Sequence, residues 1–259
     1  MWCLCLTLFL PLAVEPVDVV KPPLTIPHER GSTRASDKDG HVRWTAQWTM
    51  EPHVEQGRRA VRFTENGKGR YTPFREDVNW SLEAVWLADT SFSPLRVERS
   101  FTNSKGVPIS SERKTVDSSN SVIRFERSKE GAGPEIKSLP FSIGTLVIEG
   151  IAGVLRFLPF DSWQPFNTKL ITNEPQRYDM KIELRGKEQI KTPAGVFECY
   201  KIELVPQLGI LNVVRPFAPK AYFWFTVSPP HFWVRYEGPE AGPSSPEISM
   251  ELTTYKVER

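Results

Sequence analysis

Apolar and polar positions alternate with a period of two through several separate stretches of the chain. Tyr178, Met180, Ile182 and Leu184 interleave with Asp179, Lys181, Glu183 and Arg185. Leu82, Ala84 and Trp86 do the same in 80-WSLEAVW-86, as do Ile248, Met250 and Leu252 near the C-terminus. Successive strand side chains point to opposite faces, so this pattern predicts strands with one buried and one solvated face. In 221-AYFWFTV-227 both sets are apolar, which predicts a strand with contacts on both sides.

Turn chemistry separates these stretches at short intervals. Glu65-Asn66-Gly67-Lys68 carries the Asn-Gly pair that favours a two-residue hairpin. Asn103–Gly106, Asp117–Asn120, Gly131–Pro134, Arg185–Lys187, Ser228–Pro230 and Gly238–Pro246 are similar in composition. Thr192-Pro193-Ala194-Gly195 predicts a tight hairpin joining 187–191 to 196–205. A sheet with one apolar face must cover it. The candidate cover is 143-IGTLVIEGIAGVLRFLPF-160, where Val147, Ile151, Val154, Leu155 and Leu158 fall on one helical face. Gly150 and Gly153 weaken such a helix by roughly 1 kcal/mol each. The predicted fold is therefore mainly β: a large curved antiparallel sheet, a half-barrel, wrapped over one apolar helix or an apolar cavity.

Composition sharpens the picture. The 23 prolines, 8 tryptophans and 15 phenylalanines suit many short strands joined by turns better than long helices. Lys and Arg number 33 against 31 Asp and Glu, which lacks the charge excess of a dedicated nucleic-acid binder. Residues Trp2–Val14 form an apolar run too short for a membrane-spanning helix, and no Lys or Arg precedes Lys21. That run predicts a signal peptide or hydrophobic leader over residues 1–15, and hence an extracytoplasmic location, periplasmic or secreted. Residues 16–40, rich in Pro, Ser, Asp and Gly, read as a flexible linker, which leaves 41–259 as a single domain.

Candidate chemistry is sparse. Cys3 and Cys5 lie at the extreme N-terminus, so only Cys199 falls in the body, where neither a disulfide framework nor a sulfur-rich zinc site can form. Cys199 sits mid-strand with no local histidine to activate it, and reads as a small hydrophobe. His28, His41, His53 and His231 show no paired metal-ligand spacing. The G-x-S-x-G, G-x-x-x-x-G-K and H-E-x-x-H patterns are missing. The carboxylates Asp77, Glu83, Glu183, Glu188 and Glu237 read as solvated strand faces, and the basic cluster 58–70 as a charged hairpin that discourages edge pairing. A non-enzymatic protein without metal or cofactor is the expectation.

The aromatic residues concentrate on a few predicted strands. They fill a wide core or line an apolar pocket in the mouth of an incompletely closed barrel. On the second reading Trp44, Trp80, Trp86 and Trp224 are the candidate ligand-binding residues.

The run T-P-A-G-x-F-x-C-Y-K-x-E-L at 192–204, then 222-YFWFTVSPPHFWVRYEG-238, then 248-ISMELTTY-255, resembles the bacterial domain-of-unknown-function family 3108. The likeness is best over 178–255 and extends back to Trp44. It implies a fold similar to the LolA/LolB lipoprotein-carrier group, half-barrels in which a curved antiparallel sheet wraps over helix, and an envelope location in bacteria. It brings no catalytic or binding residues with it. The expected function is an exported binding module for a lipid, lipoprotein or other apolar envelope ligand. The alternative is a structural or interaction protein of the envelope whose sheet is plugged by 143–160 and which docks a protein partner; a hydrolase is a third, weaker reading.

Overall fold

The computed structural model of the protein describes residues 26–207, 220–242 and 244–258. One 15-stranded sheet dominates it. The first half is a meander: β1 (His28–Asp37), β2 (Val42–Glu55), β3 (Arg58–Gly69), β4 (Val78–Leu87), β5 (Pro94–Asn103), β6 (Pro108–Asp117), β7 (Val122–Lys129) and β8 (Glu135–Pro140). A short β9 (Thr145–Val147) and the helix α1 (Ile151–Leu155) follow, then a 3-10 turn at Phe160–Ser162. The second meander runs through β10 (Phe166–Ile171), β11 (Arg177–Thr192), β12 (Gly195–Pro206), β13 (Ala221–Thr226), β14 (Trp233–Pro239) and β15 (Glu247–Glu258).

In space the order is β8-β7-β6-β5-β4-β3-β2-β1-β15-β14-β13-β12-β11-β10-β9. The two meanders are thus joined at mid-sheet by the first and last strands, whose register runs from His28 opposite Glu258 to Asp37 opposite Ile248. All pairs are antiparallel except β9 with β10. The ladder does not close, yet its two ends approach: the Arg127 guanidinium donates to the Asn173 carbonyl at 3.1 Å, and Arg177 to the Pro140 carbonyl at 3.4 Å. Side chains, not backbone bonds, bridge the seam.

The inward faces of nearly all strands converge on one hydrophobic core. A second, small cluster of Ile190, Cys199, Trp224 and Val234 lies on the outer face. The sheet needs this extra patch because strand alternation sends Phe223 and Phe225 inward against Tyr236 and Trp233, and Trp224 therefore outward.

The alternation in β4, β11 and β15 and the Thr192–Gly195 hairpin appear as expected; Gly195 takes φ 143 at the turn. Four expectations fail for identifiable reasons. The linker expected over 16–40 holds β1, whose inward residues Glu29, Gly31, Thr33 and Ala35 are small or ion-paired and so carry no apolar signal. Asn66-Gly67 is no hairpin but mid-β3, where the missing Cβ makes room for Trp80; one built on Gly67 would sit 2.0 Å from the indole. Arg185–Lys187 is a bulge within β11, not a turn. The long helix over 143–160 shrinks to five residues, because Gly150 takes a left-handed φ of 69 immediately before α1. The segment still covers the sheet: Ile151, Val154, Leu155, Leu158 and Phe160 are all buried. The expected leader, residues 1–15, lies outside the described residues.

The plug fills one end of the sheet only. Arg156, at the end of α1, is paired with Glu29 of β1. Phe160 stacks on Tyr200 at 4.5 Å and packs beside His231. These contacts lie at the end of the sheet where β1 begins and β15 finishes. The opposite end, marked by the connections 69–78, 172–176 and 239–247, is left unfilled.

Candidate ligand-binding cavity

A cavity of about 510 Å³ occupies that unfilled half. Ligand sites typically span roughly 300–1,000 Å³. One wall comes from β2, β3 and β4, through Trp44, Trp48, Met50, Phe63, Trp80 and Leu82. The facing wall comes from β11 to β15, chiefly Met180, Leu204, Phe223, Tyr236 and Met250. Ile148 to Gly153 form its floor, and Asn173, Pro206, Ala221 and Pro239–Gly242 stand at the rim. Apart from buried Asn173, the rim residues are half-buried and lie at the connections of the end opposite the plug.

Of the four tryptophans expected to hold a ligand, Trp44 and Trp80 line the cavity together, their rings in an edge contact at 5.4 Å. Trp86 does not reach it. Its indole lies beneath α1, where Gly150 and Gly153 let the backbone pass close above the ring. Trp224 is on the other side of the sheet, donating its indole N–H to Glu188 with Lys201 over its ring. Alternation along 221–227 could not say which set faced inward; β12 and β14 decide it by register. Trp48 and Trp233, outside those four, are also part of the lining.

The cavity wall is not uniformly apolar. Glu65 projects from β3 and accepts the Trp80 indole N–H at 2.9 Å. Burial raises its carboxyl above the usual range, against the opposing effects of that hydrogen bond and of Arg99. Arg99, Tyr71, Glu149 and Asn173 close one side of the chamber. Arg99 donates to the Tyr71 hydroxyl at 3.1 Å and is paired with Glu112, which also receives Arg127 at 2.9 Å. Glu149 is paired with Lys114, and its Oε1 lies 3.8 Å from Arg99. Burial works to depress the Arg99 guanidinium, but Tyr71, Glu112 and Glu149 outweigh it and hold the group firmly charged. Lys114 is shifted downward by burial in spite of Glu149. Tyr71 is pushed up to about 12 by burial.

At the rim, Glu240 is fully enclosed and satisfied. It receives Arg43 Nη2 at 2.9 Å, the Trp44 indole N–H at 2.7 Å and the Thr72 amide at 3.0 Å. This knot ties the 240–246 connection to β2 and fixes Trp44 in the wall.

Among the described residues, the three groups that could share a cation are Asp37, Asp39 and His41. They sit in an exposed turn where Asp37 accepts the backbone amides of Asp39 and His41, which accounts for their convergence. Cys199 is wholly buried in the outer cluster, and burial, with Glu188 and Glu198 nearby, pushes its thiol up to about 12. That is the opposite of an activated nucleophile.

Fold and cavity together define a mainly β protein with a single curled, unclosed antiparallel sheet around an apolar chamber. The chain belongs to the family described as "Protein of unknown function (DUF3108)", whose model matches residues 38–240. Among solved structures it is similar to a β-barrel-like protein of the domain of unknown function DUF1849 from Brucella abortus. That match has 6% identity and a TM-score of 0.52, covering 92% of this chain and 100% of that one. This likeness is one of fold. A protein with a YmcC-like fold from Bacteroides fragilis is more distant, at 11% identity and a TM-score of 0.36, with 90% and 97% covered. Among curated proteins none matches. No helix of the described residues is long and apolar enough to cross a membrane.

Proposed function

We propose that this protein is a non-enzymatic, extracytoplasmic binding module that takes the apolar part of an envelope lipid or acylated ligand into the cavity. The observation that carries this reading is the chamber of about 510 Å³ walled by Trp44, Trp48, Phe63 and Trp80 and left open opposite the plug. A plug that served only to complete a hydrophobic core would be expected to fill the sheet along its length. Here 148–160 fills one end and floors the space at the other. The apolar run Trp2–Val14 supports export. The absence of an activated nucleophile at Cys199 and the exposed setting of the Asp37–His41 turn favour binding over catalysis.

Native mass spectrometry of protein purified from membranes without delipidation tests the reading directly. A stoichiometric lipid or acyl species, lost when Trp80 is replaced by Ala in a variant that still folds, is the expected result. A protein that remains empty after incubation with envelope lipids would overturn it and favour a docking protein.

A further inference from the structure

The apolar walls say that a chain can enter; the polar side of the chamber says what must be attached to it. The charges there are already matched within the protein: Arg99 on Glu112, Arg127 between Glu112 and Glu135, Lys114 on Glu149. What remains unmet is hydrogen bonding. Glu149 Oε2 and Asn173 Oδ1 are buried and have no partner, and both residues line the cavity. Both residues are more than nine-tenths buried. Tyr71 supplies the complementary group. Its hydroxyl is approached by two nitrogens, Arg99 Nη1 at 3.1 Å and Asn173 Nδ2 at 3.4 Å, so its own proton is left to donate elsewhere.

Buried polar atoms without partners are costly, and a ligand that satisfies them recovers that cost. Two acceptors beside one donor fit a group that both donates and accepts, which is what a hydroxyl does. An anionic head would meet the unpartnered Glu149 oxygen. A cationic head would meet Arg99 and Lys114. Resting on the binding reading above, we propose that the cavity selects an amphiphile with an uncharged, hydroxyl-bearing head, seated against Tyr71, Glu149 and Asn173, with its acyl chain along Trp44, Trp48 and Trp80.

The test compares three probes with the same acyl length, below their micellar concentrations: monomyristoylglycerol, myristate and myristyltrimethylammonium. Each displaces the apolar fluorophore N-phenylnaphthylamine from the full-length protein. The expected result is a glyceride affinity at least about ten-fold above that of either charged probe. Tyr71→Phe, checked for folding by circular dichroism, should narrow that gap; Asn173→Ala should do the same by a second route. Equal affinities for all three probes, or preference for a charged one, would overturn the head selection while leaving apolar binding in place. Failure to bind even the fluorophore would instead overturn the binding reading, and this inference with it.

Discussion

Gly150 and Trp86 are in such close approach that a Cβ built on Gly150 would come within 2.2 Å of the indole Cη2. The backbone there also takes φ 69, a conformation in which an L side chain is strained. Gly150→Ala should therefore cost about 2–4 kcal/mol, combining left-handed strain with overpacking. Gly153 provides the control, since its Cβ would meet Met50 Sδ at 3.4 Å and Trp86 Cζ3 at 3.9 Å, both ordinary contact distances. Urea unfolding of the two variants should show a large drop in midpoint for the first and a small one for the second. Equal drops would mean that the fit of the plug against Trp86 is not what Gly150 provides.

Glu240 is enclosed with three donors, and Arg43 is the charged one. Arg43→Met leaves a buried carboxylate without its counter-ion. The expected loss is about 2–4 kcal/mol, somewhat below that of a fully buried pair because Arg43 keeps one side toward solvent. Adding Glu240→Gln should recover part of it. A double variant no more stable than the single one would count against the ion pair as the cause.

The raised carboxyl of Glu65 makes stability depend on pH with a definite sign. Below its ordinary value of 4.5 the group is protonated in both the folded and unfolded states, so it contributes no difference there. As pH climbs from that value toward the higher folded one, the unfolded chain releases the proton first, and stability falls. Glu65→Gln cannot titrate, so its melting temperature should rise relative to the parent across that window. Parallel melting curves from acid to neutral pH would exclude the effect.

Cys199 should be inert in the native protein. With its thiol raised to about 12 and no exposed surface, it should react with a thiol reagent at mildly alkaline pH only after denaturant is added. Prompt modification of Cys199 itself in the folded protein, located by peptide mass mapping so that Cys3 and Cys5 are not counted, would show that the outer cluster opens.

Trp224 offers a separation of stability from binding. Trp224→Ala empties the outer cluster and should lower stability by roughly 3–5 kcal/mol. It leaves the chamber untouched, so displacement of an apolar fluorophore should be unchanged in the folded variant. A parallel loss of binding would mean that the two faces of β13 are coupled.

The parts of this fold that the sequence made legible are those where burial and polarity alternate cleanly. Tyr178 to Leu184 and Ile248 to Leu252 each show a face, and Thr192–Gly195 names its turn. What stayed hidden was hidden for physical reasons. β1 faces the interior with Glu29, Gly31, Thr33 and Ala35, because its neighbours bring large side chains and leave no space for more. Gly31 lies under Trp48 as Gly67 lies under Trp80, so these glycines report close packing and not turns. The helical pattern over 143–160 was a real record of burial but not of helix, since a chain threaded through a barrel interior is apolar whatever its backbone does. The polar side of the chamber was out of reach for another reason. Tyr71, Arg99, Glu149 and Asn173 are far apart along the chain, and only the curl of the sheet assembles them. Trp44 and Trp80 could be picked out as aromatic, but the choice of face for Trp224 needed the register of its two neighbours.

The seam between β1 and β15 has one more consequence, for how the protein is held. His28 and Glu258 face each other at the plugged end, 3.3 Å apart across a side-chain pair. Both ends of the described fold thus leave from the same corner, beneath the floor of the chamber. The rim at Asn173, Pro206 and Gly242 lies at the far end, so anything joined to the fold at His28 or Glu258 would sit clear of the cavity mouth.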